Sequence, residues 1–182
     1  MKTSIAISAL AALLPAVFAQ STTPFSAIAA RSASPIHLQS INAAGGKFWV
    51  AGRATDSYCP EAEIANCPAG TSTVFAGGDD TLSLDVEVPA GQLVYIAPDG
   101  SMSFTQAHSA NIPAGSIETG WTHSEGPSFG FLSWANGLVA CPVAGEGYQI
   151  FGQLEGVSLS SDCLGFDMLT SNTTGVGAWE YI

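Results

Sequence analysis

The apolar segments of this sequence are short, and Gly, Pro, Ser or Thr interrupts them roughly every eight to twelve residues. After residue 19, no stretch repeats its apolar side chains at the 3.6-residue period of an amphipathic helix. Residues 82–88 alternate apolar and polar side chains, which predicts a half-buried strand whose acids face water. Residues 25–30, 121–124 and 130–133 are further candidate strands. These patterns predict an all-β fold of about ten to twelve short strands.

The chain length suits one compact domain over residues 20–182, because a domain of this size buries roughly 70% of the surface that its unfolded chain exposes. A faint regularity favours a β-trefoil-like closed fold. Leu38, Leu84 and Leu138 are each followed six residues later by Ala-Gly, and an aromatic residue comes next. Three such hairpin units would suit pseudo-threefold symmetry. A two-sheet β-sandwich or jelly roll is the alternative.

The N-terminal residues 1–19 predict a secretory signal peptide. Lys2 supplies a positive start, residues 5–18 form an apolar run too short to span a bilayer, and residues 17–19 offer a small-residue cleavage site. No second long apolar span follows, and the C-terminal residues lack the apolar tail of a glycolipid-anchor signal. We therefore expect a secreted, extracellular protein that is not a membrane protein.

The cysteines after the signal predict disulfides. Cys59, Cys67, Cys141 and Cys163 make an even number in an exported chain, which indicates two disulfides among three connectivities. Sequence proximity favours Cys59–Cys67 and Cys141–Cys163. Zinc ligation is the rival use of four cysteines, but there is no Cys-x-x-Cys pair and no histidine near a cysteine in the sequence. No metal site is expected.

The charge is strongly negative and limits the classes of partner. Four Lys and Arg stand against fifteen Asp and Glu, for a formal net charge of −11 at pH 7. Phosphate backbones and anionic membrane surfaces would be repelled, so neither nucleic acid nor membrane is an expected partner. Neutral polymers such as glucan or chitin meet no such repulsion. Uncharged polysaccharides therefore remain open as partners.

No motif for catalysis is evident. The G-x-S-x-G elbow of serine hydrolases is absent, the histidines lie in no recognisable motif, and paired cysteines would leave no thiol nucleophile. Residues 77–80, Gly-Gly-Asp-Asp, lack the spacing of an EF-hand loop and predict a solvated hairpin turn. Glu118 and Glu125 are the first carboxylate pair to test for glycosidase chemistry. We expect no catalytic residue and no cofactor.

Two further features concern sugars. Trp121 and Trp134 are candidates for carbohydrate stacking, because the apolar face of an exposed indole packs on a sugar ring. Core packing is the commoner role of tryptophan. Asn172 begins the sequon Asn-Thr-Thr, which predicts N-glycosylation on an accessible loop.

Several blocks of the sequence are similar to a known family. They are residues 26–32, 120–121, 137–142 and 162–165, of which Ala-Cys-Pro around Cys141 and Asp-Cys at Cys163 are the specific ones. These blocks resemble those of the fungal PhiA-type secreted cell-wall proteins, whose relatives include IgE-binding allergens. The resemblance implies secretion, association with the wall of filamentous fungi and a link to the development of conidium-bearing cells. It makes cell-wall polysaccharide and wall proteins the candidate partners. It defines no catalytic residue, and only the structural roles of Cys141 and Cys163 carry over.

We therefore expect a non-enzymatic secreted β domain in or near the fungal cell wall, acting through structure or binding. A lectin-like carbohydrate-binding module is the first alternative, and it predicts an exposed tryptophan beside Asn or Asp in a shallow groove. A small secreted hydrolase is the second alternative, and it predicts a cleft that holds a carboxylate pair or a catalytic triad.

Overall fold

The computed structural model describes residues 23–182, so the predicted signal peptide, residues 1–19, and its cleavage site lie outside the described residues. Over residues 23–182 the chain forms fourteen β-strands and no helix, which confirms the all-β prediction. Three of these strands have two residues each, too few to show the alternation by which a sequence reveals a strand. The strands are β1 (Phe25–Ala30), β2 (Ile41–Ala44), β3 (Lys47–Val50), β4 (Ser57–Tyr58), β5 (Phe75–Leu84), β6 (Gln92–Ile96), β7 (Met102–Phe104), β8 (Trp121–Ser124), β9 (Gly130–Trp134), β10 (Leu138–Val143), β11 (Gly147–Gly152), β12 (Leu164–Gly165), β13 (Asp167–Asn172) and β14 (Glu180–Tyr181).

Twelve of the strands form one compact sheet that is not closed into a barrel. Its order is β1-β13-β9-β8-β5-β6-β7-β3-β11-β10-β12, with β2 paired to β3, and each strand runs antiparallel to its partners. β4 and β14 form a separate two-stranded sheet. The residue pair Phe25–Phe75 also joins β1 to β5. The trefoil and the sandwich both stay predictions.

The three Ala-Gly dipeptides lie in connections between paired strands, as expected for hairpin units. Residues 44–45 connect β2 to β3, residues 90–91 lie between β5 and β6, and residues 144–145 connect β10 to β11. In the first turn, Gly45 and Gly46 have φ values of 62° and 68°, a left-handed conformation that a residue with a Cβ seldom adopts. Glycine is therefore the residue that this tight hairpin requires.

The inward-facing side chains meet in one core. The ring of Phe75 lies between those of Phe25 and Phe48, at centroid distances of 5.9 and 5.6 Å, and Phe104 packs edge-on against Phe48 at 5.4 Å. Fully burying one such side chain stabilises the fold by roughly 1.5–3 kcal/mol relative to leaving it exposed. The other large side chains with less than 2% exposure are Trp121, Tyr181, Ile36, Ile41, Leu82, Ile96, Met102, Ile150 and Met168.

Strand β5 corrects one expectation. Residues 77–80, predicted as a solvated turn, lie inside this ten-residue strand. Gly77, Gly78 and Asp80 have φ values of 101°, 94° and 71°, so the strand bends without ending. A Cβ on Gly78 would lie 2.3 Å from Cβ of His123, so this glycine lets β5 approach β8 closely. The bend allows β5 to pair with β8 at its middle and with β6 at its end.

Both predicted disulfides are present. Cys59 and Cys67, with Cα atoms 6.0 Å apart, close the loop that follows β4. Cys141 on β10 is bonded to Cys163, which directly precedes β12, and their Cα atoms are 4.1 Å apart. β10 and β12 are also paired neighbours, so the second disulfide fastens two strands that already share hydrogen bonds. All four cysteines are paired.

Candidate functional site

The two tryptophans predicted to stack on sugars lie in the core, and that prediction is corrected. Trp121 and Trp134 face each other across β8 and β9 and are 1% and 4% exposed. Their rings contact each other at a centroid distance of 6.5 Å, and Nε1 of Trp134 donates a hydrogen bond to the Thr119 carbonyl. Neither ring has a free face for a sugar. Trp49 is also buried, and Trp179 is half-buried.

Asn172 is exposed, at the last position of β13. The backbone of the next residue is held in place, because Thr173 donates its N–H to the Pro24 carbonyl at 2.8 Å. The sequon therefore lies on accessible surface, and N-glycosylation at Asn172 stays a prediction.

His123 has a structural environment. Its ring stacks on Phe25 with centroids 3.8 Å apart, and its Nε2 shares a hydrogen bond of 2.9 Å with the Thr170 hydroxyl. Burial lowers the pKa of His123, and the nearby charge of Glu125 opposes this shift only in part. Glu118 and Glu125 are both exposed, on the two sides of β8 in the sequence. His123 therefore packs in the sheet, and its lowered pKa favours the neutral ring at pH 7.

A lysine and two serines meet in an arrangement that the sequence does not reveal, because they are far apart along the chain. Nζ of Lys47 donates to the hydroxyls of Ser101 and Ser103 at 2.7 and 2.9 Å. The Ser101 hydroxyl donates in turn to Asp99 at 2.6 Å. Burial raises the pKa of Asp99, but the hydrogen bonds from Ser101 and the charge of Lys47 outweigh it and hold that pKa below its usual value.

The chemistry of this cluster is that of a structural network. A Ser–Lys pair acts as a nucleophile and base only where the serine can reach a substrate and the lysine can accept its proton. Here Ser101 and Ser103 are fully buried, with 0% exposure, and the lysine ammonium serves as a donor to both. The network fixes the β6–β7 hairpin against β3.

The surface feature that stands apart is the outward-facing side of four neighbouring strands, β1, β13, β9 and β8. Side chains alternate along a strand, so β1 directs Ala27 and Ala29 inward and Ile28 outward. Ile28 lies opposite Leu169 on β13, and Leu169 lies opposite Phe131 on β9. These three side chains form one row across three adjacent strands, in which Ile28 and Leu169 are half-buried and Phe131 is exposed. We call the solvent-facing side of β1, β13, β9 and β8 the outer sheet face.

An aromatic pair ends this row. Phe129 and Phe131 are 48% and 47% exposed, and their rings make an edge-to-face contact at a centroid distance of 5.6 Å. Phenylalanine is among the residues most often buried in protein interiors, and two half-exposed rings in mutual contact form a patch rather than scattered apolar surface. The outer sheet face therefore has an apolar centre.

Hydroxyl side chains border the apolar centre. Ser26 and Ser171 face each other on one side of the row, and Ser133 and Thr122 face each other on the other side. Ser124 lies directly opposite Phe131. Hydroxyls both donate and accept hydrogen bonds, and of these five residues all but the half-buried Ser26 are exposed.

Few charges lie near this face. Strands β1, β8, β9 and β13 contain no lysine or arginine, and their one carboxylate is that of Asp167. Asp79 on β5, opposite Thr122, adds a second carboxylate at the border. Arg31 follows β1, and its guanidinium donates to the Gly165 carbonyl at 2.6 Å. Such a surface suits an uncharged ligand that has both apolar faces and hydroxyl groups.

The described residues hold no metal-binding cluster and no membrane-spanning helix. No group of three or more His, Cys, Asp or Glu side chains among residues 23–182 is placed to hold a metal ion. Over the same residues, no helix is long and apolar enough to cross a membrane.

Comparison with known proteins assigns the chain to a family. The family described as PhiA-like secreted protein matches residues 25–182. An uncharacterized secreted protein of Arthroderma benhamiae is 37% identical over 153 residues, which cover 78% of this chain and 76% of that protein. No solved structure matches the chain at a significant level. These matches confirm the resemblance found in the sequence and support an extracellular location, and the chain belongs to the PhiA-like secreted protein family.

Proposed function

We propose that this protein is a non-enzymatic secreted protein of the fungal cell wall, where it acts by binding a wall component. The observation that supports this proposal is the outer sheet face, where exposed Phe129 and Phe131 lie among hydroxyl side chains. A role in the development of conidium-bearing cells is a finer part of the proposal and rests on the family resemblance alone.

The environment of the reactive side chains supports a role without catalysis. The Ser101 hydroxyl is buried and already bonded to Asp99 and Lys47. The His123 ring is stacked on Phe25 and hydrogen-bonded to Thr170. These groups contribute to the packing of the fold, whereas a serine or histidine that takes part in hydrolysis must be free to meet a substrate.

Charge supports a neutral wall component as the ligand. The chain has a formal net charge of −11, so anionic polymers would be repelled at low ionic strength. Uncharged glucan and chitin would not be repelled. A lectin-like module, the first alternative from the sequence, shares this ligand class, and the aromatic pair on the outer sheet face supports it.

The experiment is a co-sedimentation assay with the purified, secreted protein. The protein is incubated with insoluble chitin, insoluble β-glucan and whole fungal walls, and we measure both its loss from solution and the sugar released. We expect loss from solution without release of sugar, and binding that survives a rise in salt. Release of sugar would instead identify a hydrolase, and no loss with any of the three materials would contradict the proposal. A sample of the same protein that has been reduced and denatured serves as the control.

A further inference from the structure

We propose that the outer sheet face is a binding platform for a chain of an uncharged, hydroxyl-rich polysaccharide, with Phe129 and Phe131 as its aromatic anchors. This inference rests on the proposed function and names its site and its class of ligand. The candidate sugar-stacking residues are therefore two exposed phenylalanines instead of Trp121 and Trp134, which are buried.

The geometry of the sheet suits a flat, extended ligand. Ile28, Leu169 and Phe131 occupy one row across β1, β13 and β9, and neighbouring strands lie about 4.7–4.9 Å apart. The row therefore extends about 10 Å, and Phe129, two residues before Phe131 and in contact with its ring, widens the apolar surface at that end. The carbon–hydrogen faces of sugar rings are apolar and pack against aromatic and aliphatic side chains. A polysaccharide chain lying along the row would cover this apolar surface.

The border of the platform provides the hydrogen-bond partners that the hydroxyl groups of a sugar require. The hydroxyl groups of a sugar project from the rim of its ring and need hydrogen-bond partners when water is removed. Ser26 and Ser171 lie on one side of the row, and Ser133 and Thr122 lie on the other. Their hydroxyls can donate or accept, so they can pair with sugar hydroxyls in either role.

Charge favours an uncharged polysaccharide over a second copy of the chain or an anionic partner as the occupant of this face. A second copy of this chain would bring another net charge of −11, and Asp79 and Asp167 border the face. Two such faces in contact would also leave serine hydroxyls competing for partners in a partly dry interface. An anionic membrane or polymer would need lysine or arginine, which the four strands of the face do not contain. An uncharged polysaccharide meets neither obstacle.

The test is the double variant Phe129→Ser/Phe131→Ser, measured as a binding isotherm on insoluble β-glucan and on chitin. Both side chains are about half exposed, so we expect the variant to fold, which circular dichroism and thermal unfolding will verify. We expect the apparent Kd on the polymer that the wild-type protein binds to rise about tenfold or more, because both anchors are lost. The matched control is Tyr58→Ser, which removes another exposed aromatic ring, on β4 of the separate two-stranded sheet. It should bind as the wild-type protein does.

Conservative replacement gives a second readout. Phe131→Trp keeps an exposed ring at the end of the row, so its binding should stay within about twofold of wild type or become tighter. If Phe131 had a purely structural role, polysaccharide binding would not depend on an aromatic ring at this position.

The outcomes separate the platform from the proposed function. Wild-type binding that the double serine variant retains would overturn the platform and leave wall binding intact. No binding of the wild-type protein to any wall material would overturn both proposals. Sedimentation equilibrium tests the rival occupant, and a wild-type dimer that the double variant abolishes would assign the face to a second copy and overturn the polysaccharide.

Discussion

The side-chain amide of Gln92 pairs with both the backbone N–H and the backbone carbonyl of Tyr181. The side-chain Oε1 of Gln92 accepts the Tyr181 N–H at 2.8 Å, and its Nε2 donates to the Tyr181 carbonyl at 2.9 Å. The same Nε2 donates to the Thr105 carbonyl at 2.9 Å. Gln92 is 1% exposed, so one buried amide gives β14 the hydrogen bonds that a neighbouring strand would otherwise provide.

Replacing this amide should be costly. Gln92→Leu would leave the N–H and carbonyl of Tyr181 and the carbonyl of Thr105 without their partner. We expect a loss of about 3 kcal/mol or more in the free energy of unfolding, measured by urea denaturation. The control is Gln39→Leu at an exposed position, which should change that free energy by less than about 0.5 kcal/mol. Similar losses in the two variants would contradict the role given to Gln92.

Alanine substitutions at Gly78 and Gly46 distinguish the energetic cost of a steric clash from that of a strained backbone. Both have positive φ, 94° and 68°, but a Cβ on Gly78 would meet His123 at 2.3 Å, whereas a Cβ on Gly46 would have nothing within 4 Å. We expect Gly46→Ala to lose about 1 kcal/mol of stability from the strained φ alone. Gly78→Ala should lose about 3 kcal/mol or more, because β5 and β8 must also move apart. Equal losses in chemical denaturation would show that the close approach of the two strands contributes nothing.

The two disulfides should differ in their effects on stability. Cys141 and Cys163 are 22 residues apart, and Cys59 and Cys67 are 8 apart. The chain-entropy model gives about 3.4 kcal/mol for the longer loop and about 2.5 kcal/mol for the shorter one. Cys141 is also buried, so replacing the longer bridge with two alanines removes packing as well. In urea unfolding without reductant, the double alanine variant that lacks Cys141–Cys163 should therefore lose more stability than the one that lacks Cys59–Cys67. The reverse order would contradict this prediction.

His123 should make the fold less stable in mild acid. Burial lowers its pKa in the folded protein below the value near 6.5 that it has when unfolded. Between pH 7 and pH 5 the unfolded chain therefore binds a proton more readily than the folded chain, and stability falls as the pH falls below about 6.5.

His123→Phe tests this linkage, because it keeps a ring against Phe25 but cannot titrate. The variant should have a flatter dependence of unfolding free energy on pH between 7 and 5 than the wild-type protein has. The control is His108→Gln, at an exposed position, which should leave the dependence unchanged. A wild-type slope that persists in His123→Phe would assign the dependence to other groups.

Local patterns predicted the strands better than they predicted which face of each strand is buried. The bounds of β1 and β8 match residues 25–30 and 121–124, because short apolar segments between turn residues define them. On β9, however, Phe131, Leu132 and Trp134 are all apolar, so the sequence does not indicate which side faces the core. The structure directs Leu132 and Trp134 inward and leaves Phe131 exposed. The candidate site was therefore missed, although its strand was predicted.

Contacts between distant parts of the chain explain the other differences. Residues 77–80 have the composition of a turn, and they lie inside β5 because Gly78 packs against His123 on another strand. Lys47 and Ser101 are 54 residues apart, so no local sequence motif contains both of them. Short-range patterns carry no information about such pairs.

The pairing of β1 with β13 has a consequence for how the protein forms. Each of the six residues of β1, from Phe25 to Ala30, lies opposite a residue of β13, so β1 finds its main partner only after residues 31–166 have been synthesised. Topologies with such a high contact order fold slowly, and an unpaired strand is prone to aggregate while it waits. Cys59 and Cys67, being close in sequence, can bond long before this, whereas Cys163 emerges just ahead of β13. One edge of β1 therefore stays without its strand partner until β13 has been made.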